Sequence, residues 1–175
     1  MAGQDGYKKI KILIASPSDV SKEREIAEKV IGDWNIVNSD ERKLALEAVL
    51  WESHSAPESG DRVQGILNKQ IVDQCDAAIG IFRTRIGNDT GVAPGGAVEE
   101  IERLEGMGKP VMIYFSLDSL PHDVDIEQLQ KVRFFKARRQ CKGDYLGEYE
   151  NPEDFRKKLT HHLGVQVQRW FPGLS

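Results

Sequence analysis

Two adjacent glutamates, Glu99 and Glu100, stand near the start of a predicted helix that follows a glycine-rich loop. At about 100° per residue, Val98, Ile101 and Leu104 form one apolar stripe of that helix. Glu99 points away from the stripe, whereas Glu100 lies on its border, where a carboxylate can overhang a cleft beside the loop. There it could offer a ligand a negative charge, a hydrogen-bond acceptor or a nucleophile. The pattern leaves open the simpler interpretation that these acids serve only the helix dipole and solubility.

Two arginines, Arg83 and Arg85, close the predicted strand that precedes the same loop. Open α/β sheets bind ligands beyond the carboxyl ends of their strands. A ligand phosphate in that place would meet both guanidinium groups. Exposed, solubilising charges are the alternative interpretation of these two residues.

Strands and helices alternate along the chain, which predicts a parallel sheet with helices on both faces. The predicted strands cover residues 8–15, 44–51, 77–82, 111–115 and 144–149. The first predicted helix begins at an N-cap at Ser18 or Asp19, and the last begins after the N-cap Asn151. Between them, helices are predicted over residues 61–74, from about Gly96 to Gly108, and over residues 126–137. Polar residues 36–43 are predicted as a connection. The fold class is therefore α/β, a flavodoxin-like three-layer sandwich whose five-stranded parallel sheet has the order 2-1-3-4-5.

Length and charge limit the classes of function. The 175 residues suit one domain, 1–175. A net charge of −4 argues against a nucleic-acid partner. No apolar run is long enough for a bilayer and no signal peptide is recognisable, so we expect no membrane partner and a cytoplasmic location. Cys75 and Cys141 form neither a metal-ligand spacing nor a disulfide framework, so no metal is predicted.

Common ligand motifs of this fold are missing. No GxGxxG follows the first strand and no Walker Lys-Ser/Thr pair exists, which argues against a dinucleotide-binding Rossmann turn and a P-loop. A phosphoacceptor receiver would need acids where Ser16 and Arg83 stand.

Three segments together resemble TIR and TIR-like domains, in particular the bacterial type found as effectors in antiviral defence proteins. These are "SPSDVSKERE", "VDQCDAAIGIF" and "GGAVEEIERLEGMGKPVMIYF", within residues 8–116. Nucleoside 2-deoxyribosyltransferases are similar in layout. In both families the glutamate eight residues before the glycine of a "GK" pair is catalytic. The pair here is Gly108–Lys109, so the resemblance implies Glu100, the residue that helical geometry also favours.

The resemblance further implies a substrate and its pocket. Catalytic TIR domains cleave the nicotinamide–ribose bond of NAD+, which is a substrate there and not a cofactor. The implied substrate-binding residues are Ser16 and Asp19 after the first strand, and Arg83, Ile86 and Gly87 after the third. Nicotinamide is already a cationic leaving group, so one carboxylate that stabilises the developing oxocarbenium ion can suffice.

Three functions follow from the sequence as hypotheses. The first is a TIR-like NAD+ nucleosidase that self-associates and is triggered by a sensor domain or partner outside this chain. The second is a nucleoside deoxyribosyltransferase or nucleotide N-glycosidase that uses the same carboxylate. The third is a non-enzymatic interaction domain of TIR type.

Overall fold

A computed structural model describes residues 6–50 and 69–172. Its sheet has five parallel strands in the order β2-β1-β3-β4-β5, which confirms the predicted fold class. The strands are β1 (Lys8–Ala15), β2 (Leu44–Leu50), β3 (Ala77–Phe82), β4 (Val111–Ser116) and β5 (Gly147–Tyr149). The helices are α1 (Ser21–Arg42), α2 (Gly96–Gly106), α3 (Ile126–Cys141) and α4 (Pro152–Trp170). Residues 69–73 are also helical, and the rest of the helix predicted over 61–74 lies outside the described residues, as does Trp51.

Two apolar cores cover the two faces of the sheet. On one face α1 and α4 pack against the strands, with Phe155 of α4 and Ile31 of α1 buried. On the other face α2 and α3 contribute Ile101 and Phe135. β3 is buried along its whole length, as expected for a central strand of a parallel sheet. The carboxyl ends of β1 and β3 therefore meet at the switch point of the strand order.

The first helix is longer than predicted, and the interpretation of residues 36–43 as a connection was wrong. α1 continues to Arg42 and ends at Lys43, which adopts a left-handed conformation (φ 52°). None of residues 36–42 is buried, so polar side chains there suit the surface of a helix and do not mark its end. Just before them, the side chain of Asn35 accepts from the backbone N–H of Leu46 at 2.8 Å and donates to the carbonyl of Leu46 at 2.7 Å. These bonds hold the middle of α1 against the edge strand β2 and satisfy backbone groups that an edge strand would otherwise expose.

The remaining boundaries differ by smaller amounts. α3 ends at Cys141 rather than near residue 137, and β5 is limited to Gly147–Tyr149. Asn151 caps α4, as predicted, because its side chain accepts from the backbone N–H of Asp154. Among the described residues, none of the helices combines the length and apolar character needed to cross a lipid bilayer.

Candidate functional site

A pocket of about 280 Å³ opens at the carboxyl ends of β1 and β3. Three of the predicted substrate-binding residues, Ser16, Ile86 and Gly87, line it. The other lining residues come from the same two loops and from the start of α2: Pro17, Ser18, Arg85, Asn88, Thr90, Gly96 and Ala97. The structure thus brings together residues 70 positions apart in the sequence, at the crevice where open α/β folds bind ligands.

Ser16 contributes a hydroxyl group to this pocket. Its side chain is 9% exposed, and its hydroxyl oxygen has no hydrogen-bond partner within the described part of the chain. Because a buried hydroxyl without a partner is costly, such a group commonly marks a place where a ligand or ordered water binds. Ser16 can both donate and accept, so it suits a hydroxyl or carbonyl group of a ligand.

Close backbone packing shapes the loop after β3. Gly87 has a positive φ of 99°, a conformation that other residues rarely adopt. A Cβ added to Gly95, just before α2, would collide with the carbonyl oxygen of Ile86. Gly87 and Gly95 therefore allow the loop after β3 to fold back onto the start of α2.

Gln128 of α3 holds the same loop from the other side. Its side-chain oxygen accepts from the backbone N–H groups of Ile86 and Gly87, at 3.0 Å each, and its amide nitrogen donates to the Gly87 carbonyl at 3.2 Å. Sequence reasoning missed this residue. The available signal was the spacing Asp125-x-x-Gln128, which resembles a capping box. Asp125 does cap α3 by accepting from the N–H of Gln128, while the Gln128 side chain bonds the loop.

Asp19 contacts the loop after β3, and its predicted role in substrate binding stays a prediction. One of its carboxylate oxygens accepts from both the backbone N–H of Thr84 at 2.9 Å and the Thr84 hydroxyl at 2.8 Å. Neither Asp19 nor Thr84 lines the pocket. Nor does Asp19 cap α1: a 3-10 turn, Ser18–Val20, precedes that helix, and no side-chain cap bond forms. Asp19 therefore ties the loop after β1 to the loop after β3.

Arg83 points away from the pocket that Ser16 and Gly87 line. Its guanidinium donates to the carbonyl of Ser119 at 3.0 Å, and the residue lines a separate cavity beside α3. Arg85, two residues later, does line the first pocket and lies 4.0 Å from the carboxylate of Asp125. The two arginines that follow β3 thus line different pockets. They lie in the loop after Phe82, so the alternation of a strand, which would place residues i and i+2 on one face, does not apply to them.

Glu100 lies beside the pocket on α2. Glu100 is not itself a lining residue, but Ala97, three residues earlier on the same helix, is. Residues three apart are neighbours on a helix surface, so Glu100 is one turn away from the pocket wall. Glu100 is half-buried, and this burial raises its pKa from an ordinary 4.5 to about 8. The negative charge of Glu99 also raises this pKa, and the positive charge of Arg24 lowers it. The raised pKa favours the protonated form of this carboxyl near neutral pH, and a further positive charge close by would favour its ionisation.

No described residues offer an evident metal centre. Within residues 6–50 and 69–172, no group of three His, Cys, Asp or Glu side chains is placed to hold a metal ion.

A family model described as "Domain of unknown function (DUF4062)" matches residues 11–164, most of the chain and all of the site described above. The chain belongs to the DUF4062 family. No curated protein matches this DUF4062 domain.

Two solved structures are similar in fold to this chain. One is the RPS4 and RRS1 TIR domain heterodimer, with 8% identity, a TM-score of 0.50, and coverage of 93% of this chain and 98% of that one. Another is the translation elongation factor SelB from Methanococcus maripaludis, with 14% identity and a TM-score of 0.50. That match covers 93% of this chain but only 35% of the SelB chain, so the present chain spans about a third of the length of SelB. At these identities the likeness concerns the fold alone. It supports a TIR-like layout.

Proposed function

We propose that this DUF4062 domain is a TIR-like NAD+ nucleosidase in which Glu100 is the catalytic carboxylate. The observation that carries the proposal is the position of Glu100: half-buried, with its pKa raised to about 8, one turn from a pocket at the carboxyl edge of a parallel sheet. The resemblance of its sequence to TIR domains and the fold shared with a TIR domain chain support the choice of substrate.

The reaction suits a single carboxylate. The bond between ribose C1′ and the pyridinium nitrogen breaks, and its electron pair neutralises the ring, so that nicotinamide leaves without needing a proton. The ribose becomes an oxocarbenium ion, which a carboxylate stabilises. Water then adds to C1′ and loses a proton, giving ADP-ribose. Overall, NAD+ and water yield ADP-ribose, nicotinamide and H⁺.

The raised pKa of Glu100 fits a cationic substrate. A positive charge near a carboxyl group lowers its pKa. In the proposed complex the positive nicotinamide ring of NAD+ therefore favours the ionised form of Glu100. When the bond breaks, the positive charge moves from the ring to the ribose, and the same carboxylate stabilises it there. Ser16 would bond a polar group of the substrate, with Ile86 and Gly87 forming the wall. The pocket volume of about 280 Å³ suits a nicotinamide riboside half rather than a whole dinucleotide.

Pairing of domains is part of the proposal, because the similar TIR structure is a heterodimer. The test therefore measures NAD+ consumption over a wide range of protein concentrations and with copies tethered in tandem. Products are separated by chromatography. Glu100→Gln keeps the shape and removes the charge, and Glu99→Gln is the matched control on the neighbouring residue. We expect nicotinamide release by wild type and Glu99→Gln, and loss of at least 100-fold in Glu100→Gln.

Three results would contradict the proposal. Equal turnover by wild type and Glu100→Gln would exclude Glu100 as the catalytic group. Absence of nicotinamide release even from tethered copies, together with base exchange in a parallel assay on deoxynucleosides, would favour the deoxyribosyltransferase function. Absence of both activities with retained pairing would favour the interaction domain.

A further inference from the structure

A second pocket, of about 350 Å³, lies between α3 and the segment that follows β4. It has no lining residue in common with the pocket beside Glu100. Its residues come from the end of β3, from residues 115–120 and from one side of α3. The volume falls within the range of small-molecule sites, roughly 300–1,000 Å³. The carboxyl edge of the sheet therefore has a second hollow large enough for a ligand.

The charged residues that line this second pocket are mostly basic. They are Arg83, Arg133 and Lys136, against the single acid Asp118. Asp118 already accepts from the backbone N–H of Ser119 at 2.7 Å. Lys136 is paired with Glu148 at 3.1 Å, which reduces its contribution. Two arginines then remain as the excess positive charge of the pocket.

Neither arginine has its bonding capacity filled. Arg133 is exposed and forms no ion pair or hydrogen bond with any residue that the structure describes. Arg83 uses one terminal nitrogen for the Ser119 carbonyl, while its Nε–H is buried and has no acceptor in the described part of the chain. A buried guanidinium N–H without a partner costs free energy that an oxyanion would recover through a charge-assisted hydrogen bond.

The rest of the wall is apolar. Leu117 and Leu120 are 52% and 49% exposed, and Phe115, Leu129 and Val132 form the buried part. An anionic group with an apolar or aromatic body attached would thus find partners for both parts. Arginine pairs well with the oxygens of phosphate because its fork of donors matches their geometry.

We propose that this pocket binds a small phosphorylated molecule, with Arg83 and Arg133 on the phosphate and the leucines on the apolar body. The site is distinct from the pocket beside Glu100, and the proposal does not depend on the proposed activity. Under this proposal Arg83, which the resemblance implies as a substrate-binding residue, binds the phosphate of a second ligand instead.

Amide chemical shifts and affinities measured for three probes test this site: AMP, inorganic phosphate and adenosine. The Glu100→Gln variant is the background, so that the first pocket performs no chemistry. We expect AMP to bind more tightly than phosphate, adenosine not to bind, and the shifts to centre on residues 116–120. Arg133→Gln, an exposed change that leaves folding intact, should weaken AMP binding at least tenfold. Arg169→Gln, at the far end of α4, is the matched control and should bind as the background does.

Three outcomes would overturn the proposal. Shifts centred on Ser16 and residues 85–90 would place AMP in the first pocket. Unchanged affinity in Arg133→Gln would show that this arginine does not hold the phosphate. Equal affinity for AMP and adenosine would show that the pocket does not recognise an anion. NAD+ consumption by Arg133→Gln in an otherwise wild-type chain should remain normal, which keeps this test separate from that of the proposed function.

Discussion

The side-chain amide of Gln128 bonds both backbone groups of Gly87. Its oxygen accepts from the Gly87 N–H at 3.0 Å, and its nitrogen donates to the Gly87 carbonyl at 3.2 Å. The same oxygen also accepts from the N–H of Ile86. One buried side chain on α3 thus sets the position of two residues that line the candidate active site.

We expect Gln128→Ala to destabilise the protein by roughly 2–4 kcal/mol, because it leaves loop amides buried without partners and each such group costs about 1–3 kcal/mol. The value is measured by denaturant unfolding. Gln130→Ala is the matched control: Gln130 is exposed on the same helix and makes no hydrogen bond with the described residues. Equal losses in the two variants would show that the loop contacts of Gln128 contribute nothing.

Gly95→Ala should disrupt the pocket, whereas Gly96→Ala should not. A methyl group at Gly95 meets the Ile86 carbonyl oxygen, while one at Gly96 meets nothing within 4 Å. We expect a loss of about 1–3 kcal/mol for the first substitution, the usual cost of overpacking. The second should be neutral or slightly stabilising, since alanine favours a helix. Thermal unfolding of both variants checks the prediction, which fails if Gly95→Ala is as stable as Gly96→Ala.

Asp19→Ala should lower stability by roughly 1–3 kcal/mol, because the N–H of Thr84 would lose its acceptor in a residue that is only 6% exposed. Ser18→Ala, one residue earlier and exposed, is the control. If Asp19 acts only as this structural tie, Asp19→Asn should keep much of the stability, since its amide oxygen can still accept. A large loss of NAD+ affinity in a stable Asp19→Asn variant would instead place Asp19 on the substrate.

Glu100→Gln should stabilise the protein at high pH. The folded pKa of about 8 exceeds the unfolded value near 4.5, so the folded state holds the proton more tightly. Stability should therefore fall as the pH rises from about 4.5 to about 8, and Glu100→Gln should remove this fall. One pKa unit corresponds to about 1.4 kcal/mol, and partial solvation reduces the total, so we expect a gain on the order of 2–4 kcal/mol at pH 9. Melting curves at pH 5 and pH 9 test this; a gain that is equal at both pH values would contradict it.

The pH dependence of turnover should report the same group. For the free enzyme, kcat/KM should rise with pH and level off above a pKa near 8, as Glu100 loses its proton. The rise in kcat should occur at lower pH, because bound NAD+ places a positive charge beside the carboxyl group and lowers its pKa. Initial rates between pH 5.5 and 9.5 provide both profiles. A kcat/KM that does not change over this pH range would show that ionisation of Glu100 is not required for the reaction.

The sequence by itself determined the strands, their order in the sheet and the positions of most helices. Apolar runs such as Ala77–Phe82 and the helical stripe that contains Ile101 are local patterns, and a βα alternation allows few topologies. The position of Glu100 on the border of that stripe follows from the same periodicity. The predicted topology is confirmed because these patterns depend on residues close together in the chain, whereas the catalytic role of Glu100 stays a prediction.

Only the tertiary structure decided what the polar side chains bond. Asp19 reaches Thr84 across 65 positions, and Gln128 reaches Gly87 across 41. Asn35 of α1 bonds Leu46 of the edge strand β2, a contact that the sequence pattern does not show. The packing of distant segments determines these hydrogen-bond partners, so local sequence patterns do not predict them. The direction of Arg83 into a different pocket from Ser16 is likewise set where two loops and α3 meet.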